Sequence, residues 1–203
     1  MSFMPGEIAK YKLILGLDQQ ALDPSLRRLA ACAPQENPSL PFIPSGVIWY
    51  QWSGCHDYQE LWQQMRESLL ASGDAGDQVL TFKHRLEKQM GLRIGQELIP
   101  ILGNEAGGYL TDVDTSGVFP YPRFLFFIKI TDQGKAQELL ARFQKTPLGP
   151  LQQEEYGKVN IHYLAMPLGP NMDPGYCFLG DYLLMSSTRQ LLNKDFEEYA
   201  YGG

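Results

Sequence analysis

The chain is poor in the residue types and spacings that announce a reaction. Its three cysteines, Cys32, Cys55 and Cys177, lie far apart with no C-x-x-C among them. That spacing excludes a disulfide-dense scaffold or a sequence-encoded zinc site, and allows one bridge with an odd thiol left over. G-x-S-x-G, a Walker loop, G-x-G-x-x-G and H-E-x-x-H are all missing, so the common hydrolase, nucleotide-binding and metallopeptidase chemistries lose their usual entry points. Positive charge is also short, with 17 Lys and Arg against 23 Asp and Glu and a formal charge of -6. A nucleic-acid partner, which needs a cationic surface to displace counterions, is therefore not expected. The longest apolar run is residues 124–128, far below the roughly 20 residues of a membrane-spanning helix, so no membrane span is expected within this chain. The first residues, MSFMPGEIA, have neither the basic start nor the apolar middle of a signal peptide. Two expectations follow, retention in the cytoplasm or excision from a longer precursor.

What is present is a good supply of apolar residues, 44% of 203, enough to build a real core in one large domain or two small ones. Tyr11, Leu13 and Leu15 alternate with Lys10, Lys12 and Ile14, the pattern of a half-exposed strand. Asp23-Pro24 then reads as a helix start, with Leu26, Leu29 and Ala30 as its stripe. Four prolines, Pro34, Pro38, Pro41 and Pro44, make an extended connector. It divides an N-terminal strand and helix, 1–44, from a main domain, 45–203.

In the main domain a strand is expected over 47–52, followed by a helix that Asp57 caps and Glu60 completes as a capping box. Tyr58, Leu61, Trp62, Met65 and Leu69 fall on one side of it. A turn over 72–77 leads to a second helix with Val79, Phe82, Leu86 and Met90 as its stripe and Gly91 as its stop. A short third helix carries Ile94, Leu98, Ile101 and Leu102, limited by Pro100 and closed by Gly103. A strand follows over 106–113, weakened by Gly107-Gly108, and then one over 124–130, apolar on both faces and therefore central. Asp132 caps a helix with Ala136, Leu139, Leu140 and Phe143. Val159, Ile161 and Tyr163 alternate with Asn160 and His162 in a strand with one wet face. The hairpin 176–179 and 182–185 turns at Gly180-Asp181, where glycine supplies a positive φ. Thr188 caps a last helix with Leu191, Leu192, Phe196 and Tyr199. The order is strand, helices, two strands, helix, three strands, helix. It predicts an α+β fold, an antiparallel sheet with helices packed mainly on one face.

Residues 13–23, LILGLDQQALD, echo residues 183–193, LLMSSTRQLLN. A shared strand-turn-helix plan accounts for this, and so does a repeated unit in which residues 10–32 end one copy. Four segments in order, 91–105 (GLRIGQELIPILGNE), 126–140 (FFIKITDQGKAQELL), 155–163 (EYGKVNIHY) and 175–187 (GYCFLGDYLLMSS), resemble a bacterial family called domain of unknown function 3352. The resemblance covers about residues 45–196. It implies an exported or envelope-anchored protein, periplasmic or elsewhere in the cell envelope, with no mechanism attached.

Few side chains suggest chemistry. Cys55-His56-Asp57 puts three metal-capable groups in a row, but adjacent residues rarely converge on one ion; a strand-to-helix turn capped by Asp57 is expected, and neither a metal site nor a Cys55-His56 nucleophile. Asp112 and Asp114 share one side of a strand and offer oxygens to a divalent cation, or form a solvated strand end. Glu105 is either a general base, which requires a partner and a raised pKa, or a structural acceptor. His84 and His162 read as exposed bystanders. The basic cluster Lys83, Arg85, Lys88 and Arg93 reads as a solvated helix face, with an anion or lipid-headgroup patch as the alternative. The loops 118–122 and 168–175 and the tail 199–203 hold aromatic, proline and methionine residues suited to contacts.

No catalytic, cofactor-binding or metal residue is assigned, and no cofactor is implied. The function expected is a noncatalytic binding or structural domain of a bacterial envelope protein whose partner is an unknown protein or a hydrophobic ligand. The alternatives are a carrier of lipid or another hydrophobic ligand and a metal-assisted enzyme using Asp112, Asp114 or Glu105.

Overall fold

A computed structural model describes residues 18, 22, 27, 30–33, 35–40, 43–115, 120–142, 145–146, 149–157, 159–165 and 172–193. The chain forms two units, Met1–Pro34 and Gln35–Gly203. In the first, residues 27, 30 and 31 are helical, while the expected strand at 10–15 and the helix start at Asp23-Pro24 lie outside the described residues. So do Phe143, residues 196–203 and the N-terminal half of the internal echo.

The second unit is an α+β body. Its elements are β1 (Trp49–Ser53), α1 (Tyr58–Ala71), α2 (Asp74–Met90), a π turn (Ile94–Leu98), a 3-10 turn (Ile99–Ile101), β2 (Leu102–Asp114), β3 (Tyr121–Ile130) and α3 (Gln133–Arg142). A two-residue pair follows, β4 (Lys145–Thr146) with β5 (Gly149–Pro150), then β6 (Gln152–Tyr156), β7 (Val159–Tyr163), β8 (Gly175–Leu179) and β9 (Tyr182–Ser186). Seven strands make one antiparallel sheet in the order β1-β2-β3-β9-β8-β7-β6.

Local signals explain most boundaries. Asp57 Oδ1 accepts from the Glu60 N–H at 2.9 Å and starts α1, while Glu60 Oε1 accepts from Gln64 Nε2. Gly91, at φ 60°, ends α2 in the left-handed conformation that glycine adopts without strain. Asp132 Oδ1 accepts from the Lys135 N–H at 2.9 Å and begins α3. Gly180, at φ 54°, turns β8 into β9, and Thr188 Oγ1 accepts from the Leu191 N–H at 3.4 Å.

Other boundaries depart from expectation. The third helix is replaced by the π and 3-10 turns, and Gly103 lies buried inside β2 rather than closing a helix. Strand β2 runs through Gly107 and Gly108. A Cβ at Gly107 would stand 2.4 Å from the Phe127 ring, and one at Gly108 would stand 2.6 Å from the Phe126 ring. The glycines thus admit the rings of β3 and do not weaken the strand. Strand β6, QQEEY, carries no apolar alternation and is recruited by pairing with β7. Helix α2 begins at Asp74, inside the expected turn. The apolar stripes of α1 and α2 are not buried: Leu61, Met65, Val79 and Phe82 are exposed, and Gly76 is the one fully buried residue in the two helices.

The sheet has two faces set by the strand period of two. On one, Tyr109, Leu125, Phe127, Leu184, Cys177 and Ile161 form a closed core with Leu192, flanked by Ile43 and Val47. On the other, Ile128, Ile130 and Leu183 pack with Ala136 and Leu139 of α3 and with Leu92 and Ile101 of the segment after α2. The helices that reach the sheet cover this second face, but only at one end. Cys177 is fully buried and not disulfide-bonded.

Candidate functional site

Part of the second face carries exposed apolar side chains among the described residues. One lateral row of register partners crosses all seven strands: Gln51, Gly108, Phe126, Met185, Tyr176, His162 and Gln153. Trp49, Leu110 and Phe124 form the row beside it. Phe126 is 46% exposed, Met185 42% and Trp49 46%. The central strand was expected to be covered on both faces; Phe126 departs from that, since Ile128 and Ile130 join the cluster with Ala136 and Leu139 of α3 and Phe126 does not. Phe126 has only Gly108 beneath it on β2, and its centroid lies 5.1 Å from that of Phe124. At the far side His162 stacks on Tyr176 with centroids 4.9 Å apart and planes 14° apart. His162 is therefore half-buried, not a solvated bystander. Burial lowers its pKa and raises that of Tyr176. Isolated apolar residues on a surface mean little, but aromatic and thioether side chains contiguous on a flat sheet are the usual composition of a contact surface.

The closed face carries a polar cluster instead. Glu105, Lys129 and Tyr182 are lateral neighbours on β2, β3 and β9: Lys129 Nζ donates to Glu105 Oε1 at 2.5 Å, and Tyr182 Oη donates to Glu105 Oε2 at 2.7 Å. Burial alone would raise the Glu105 pKa, but the hydrogen bonds from Lys129 and Tyr182 and the lysine charge outweigh it and hold the carboxylate below its ordinary value. Burial, then the bond to Glu105, pushes the Tyr182 phenol well up. A general base working near neutrality needs the opposite shift and a free oxygen. Glu105 is a cross-sheet acceptor, and the partners that sequence could not show lie on the next two strands, Lys129 on β3 and Tyr182 on β9.

The remaining candidates are structural in the same sense. Arg123 sits between Asp112 and Asp114, with Nε 3.5 Å from Asp112 Oδ1 and Nη2 3.0 Å from Asp114 Oδ2, so the guanidinium occupies the place a cation would take. Among the described residues no three His, Cys, Asp or Glu side chains gather as a metal site, and no helix is long and apolar enough to cross a membrane. In the 55–57 turn Asp57 caps α1, and the His56 ring lies 5.3 Å from Tyr58, its pKa lowered by burial. His84 is exposed, 3.4 Å from Glu87. Of the loop aromatics, Tyr121 turns inward and donates to the Ser187 carbonyl at 2.7 Å, and the 168–171 and 199–203 segments lie outside the described residues.

The basic cluster divides. Lys83 and Arg93 line a groove between α1, α2 and the segment 93–100, while Arg85 lies on another part of α2 beside Phe82. Lys83 is not simply solvated: its ammonium lies 5.5 Å from the Trp62 ring centroid and 3.1 Å from Glu87. No family model, curated protein or solved structure matches the chain.

Proposed function

We propose that this chain is a noncatalytic binding domain of a bacterial envelope protein, of the kind its resemblance to the domain of unknown function 3352 family implies, and that it engages its partner through the exposed apolar part of the sheet. The observation that carries this reading is the row in which Phe126 and Met185, neighbours in register on β3 and β9, are both exposed beside Trp49. Leaving such side chains wet forgoes about 25 cal/mol for each Å² of apolar surface, which a bound partner would recover.

A photocrosslinking residue placed at position 126 in the native cell tests the binding surface. One discrete adduct is expected from 126 and none from position 78 on the exposed surface of α2. Absence of any adduct at 126 removes the reading. Thiol titration of the unfolded protein isolated from cells under alkylating conditions tests the compartment: in an oxidising one, where a bridge persists, one reactive thiol is expected before reduction and three after, since three cysteines allow one bridge. Three thiols before reduction would argue for a reducing compartment.

A further inference from the structure

A groove of about 720 Å³ lies between α1, α2 and the segment 93–100. Trp62, Arg66 and Leu70 project into it from one side of α1 at helical spacing, and Leu80, Lys83 and Glu87 face them from α2. The backbones meet at Gly76, where a Cβ would lie 1.7 Å from the Leu69 carbonyl oxygen. Toward the other end Trp62 stands against Gly95, whose Cβ would lie 2.4 Å from the indole nitrogen. Both glycines are steric conditions for this groove. Its walls are held in place: Glu87 Oε1 accepts from the Ile94 N–H at 2.9 Å and Glu87 Oε2 accepts from Lys83 at 3.1 Å.

The charges are unbalanced. Arg66, Lys83 and Arg93 line the groove with one carboxylate, Glu87, which Lys83 already holds. Arg66 and Arg93 form no salt bridge among the described residues; Arg93 gives a side-chain hydrogen bond to Gln96 Oε1 at 3.1 Å, and its charge also acts on Glu97, which Arg142 pairs at 3.1 Å. In a chain of net charge -6 this is a local cationic site. Beside it lie Trp62, Leu80, Ile99 and Pro100. Guanidinium groups match phosphate and carboxylate in shape and charge. A bare anion would leave the apolar wall wet, and a neutral apolar ligand would leave two arginines unmatched.

We propose that this groove binds an anionic amphiphile, its phosphate or carboxylate head against Arg66 and Arg93 and its apolar chain along Trp62 and Leu80. The site is separate from the exposed sheet face and stands whether or not that face binds a partner.

Dodecyl phosphate below its micellar concentration, titrated against the intact chain and followed by tryptophan fluorescence, tests it. Saturable binding is expected, with the signal lost in Trp62→Phe, weakened by salt, and weakened at least about tenfold in Arg66→Gln/Arg93→Gln, which removes the charge-assisted bonds to the head group. Circular dichroism checks that the variants fold. Equal affinity for the neutral dodecyl maltoside, or unchanged affinity in the folded double arginine variant, overturns the proposal. Vesicles of phosphatidylglycerol identify the source. If they cosediment with the protein through both arginines while free dodecyl phosphate does not bind, the amphiphile is a membrane headgroup. If the free molecule binds and vesicles do not, it is a dispersed ligand. Binding of neither overturns the site.

Discussion

Phe126 and Phe127 are adjacent on one strand and meet different fates. Phe127 is 3% exposed in the closed core with Tyr109, Leu125 and Leu184, whereas Phe126 is 46% exposed on the other face. The strand period assigns them to opposite sides, but burial depends on what lies above each. On the core face Ile43, Val47 and Leu192 pack over the central cluster, while on the other α3 and the segment after α2 pack on Ile128, Ile130 and Leu183 and leave Phe126 exposed. The same chemistry thus stabilises the fold on one face and remains available for contact on the other.

The comparison is broken most severely by substitutions on the closed face. Leu184→Ala removes a side chain that is 1% exposed and is expected to cost about 2–5 kcal/mol, the range for large-to-small changes in a packed core, read as a lowered urea midpoint. An unchanged midpoint would mean that the two faces do not differ as described. Glu105→Gln comes next, at about 2 kcal/mol, below the about 3–5 kcal/mol for breaking a wholly buried pair because Lys129 is partly exposed. The pH dependence has a definite sign. The folded carboxylate has a pKa below its ordinary 4.5, so its contribution is present above that value and disappears as pH falls through the lower folded one. Urea midpoints of the native chain should fall more steeply through that acid range than those of Glu105→Gln; parallel curves would contradict the ion pair. Asp57→Ala, which removes the α1 cap, should cost about 1 kcal/mol. Phe126→Ser should be smallest, within about 0.5 kcal/mol.

Features written in local backbone requirements were legible from sequence. The caps at Asp57 and Asp132, the left-handed Gly91 and the turn at Gly180 each need only a few neighbouring residues to specify them. Features that depend on distant partners were not. Strand β6 has no apolar pattern of its own and exists because β7 pairs with it. Gly107 and Gly108 read as weakening the expected strand, whereas each leaves room for a ring, of Phe127 and Phe126 respectively, on β3. The stripes Leu61, Met65, Val79 and Phe82 had the right period for burial, yet periodicity states where apolar groups point and not whether anything covers them. The candidate sites divide in the same way. Asp112, Asp114 and Glu105 were visible as carboxylates, but Arg123, Lys129 and Tyr182, which engage them, lie on other strands. Arg66, absent from the basic cluster read along α2, joins Lys83 and Arg93 only through the packing of α1 on α2.

The central claim is that folding leaves the Phe126–Met185 row free for a partner. Its most direct test is the double variant Phe126→Asp/Met185→Asp carrying a photocrosslinking residue at position 49 of the same face. The account predicts a urea midpoint close to that of the parent and loss of the adduct formed from position 49. A folded double variant that still gives the same adduct would contradict it.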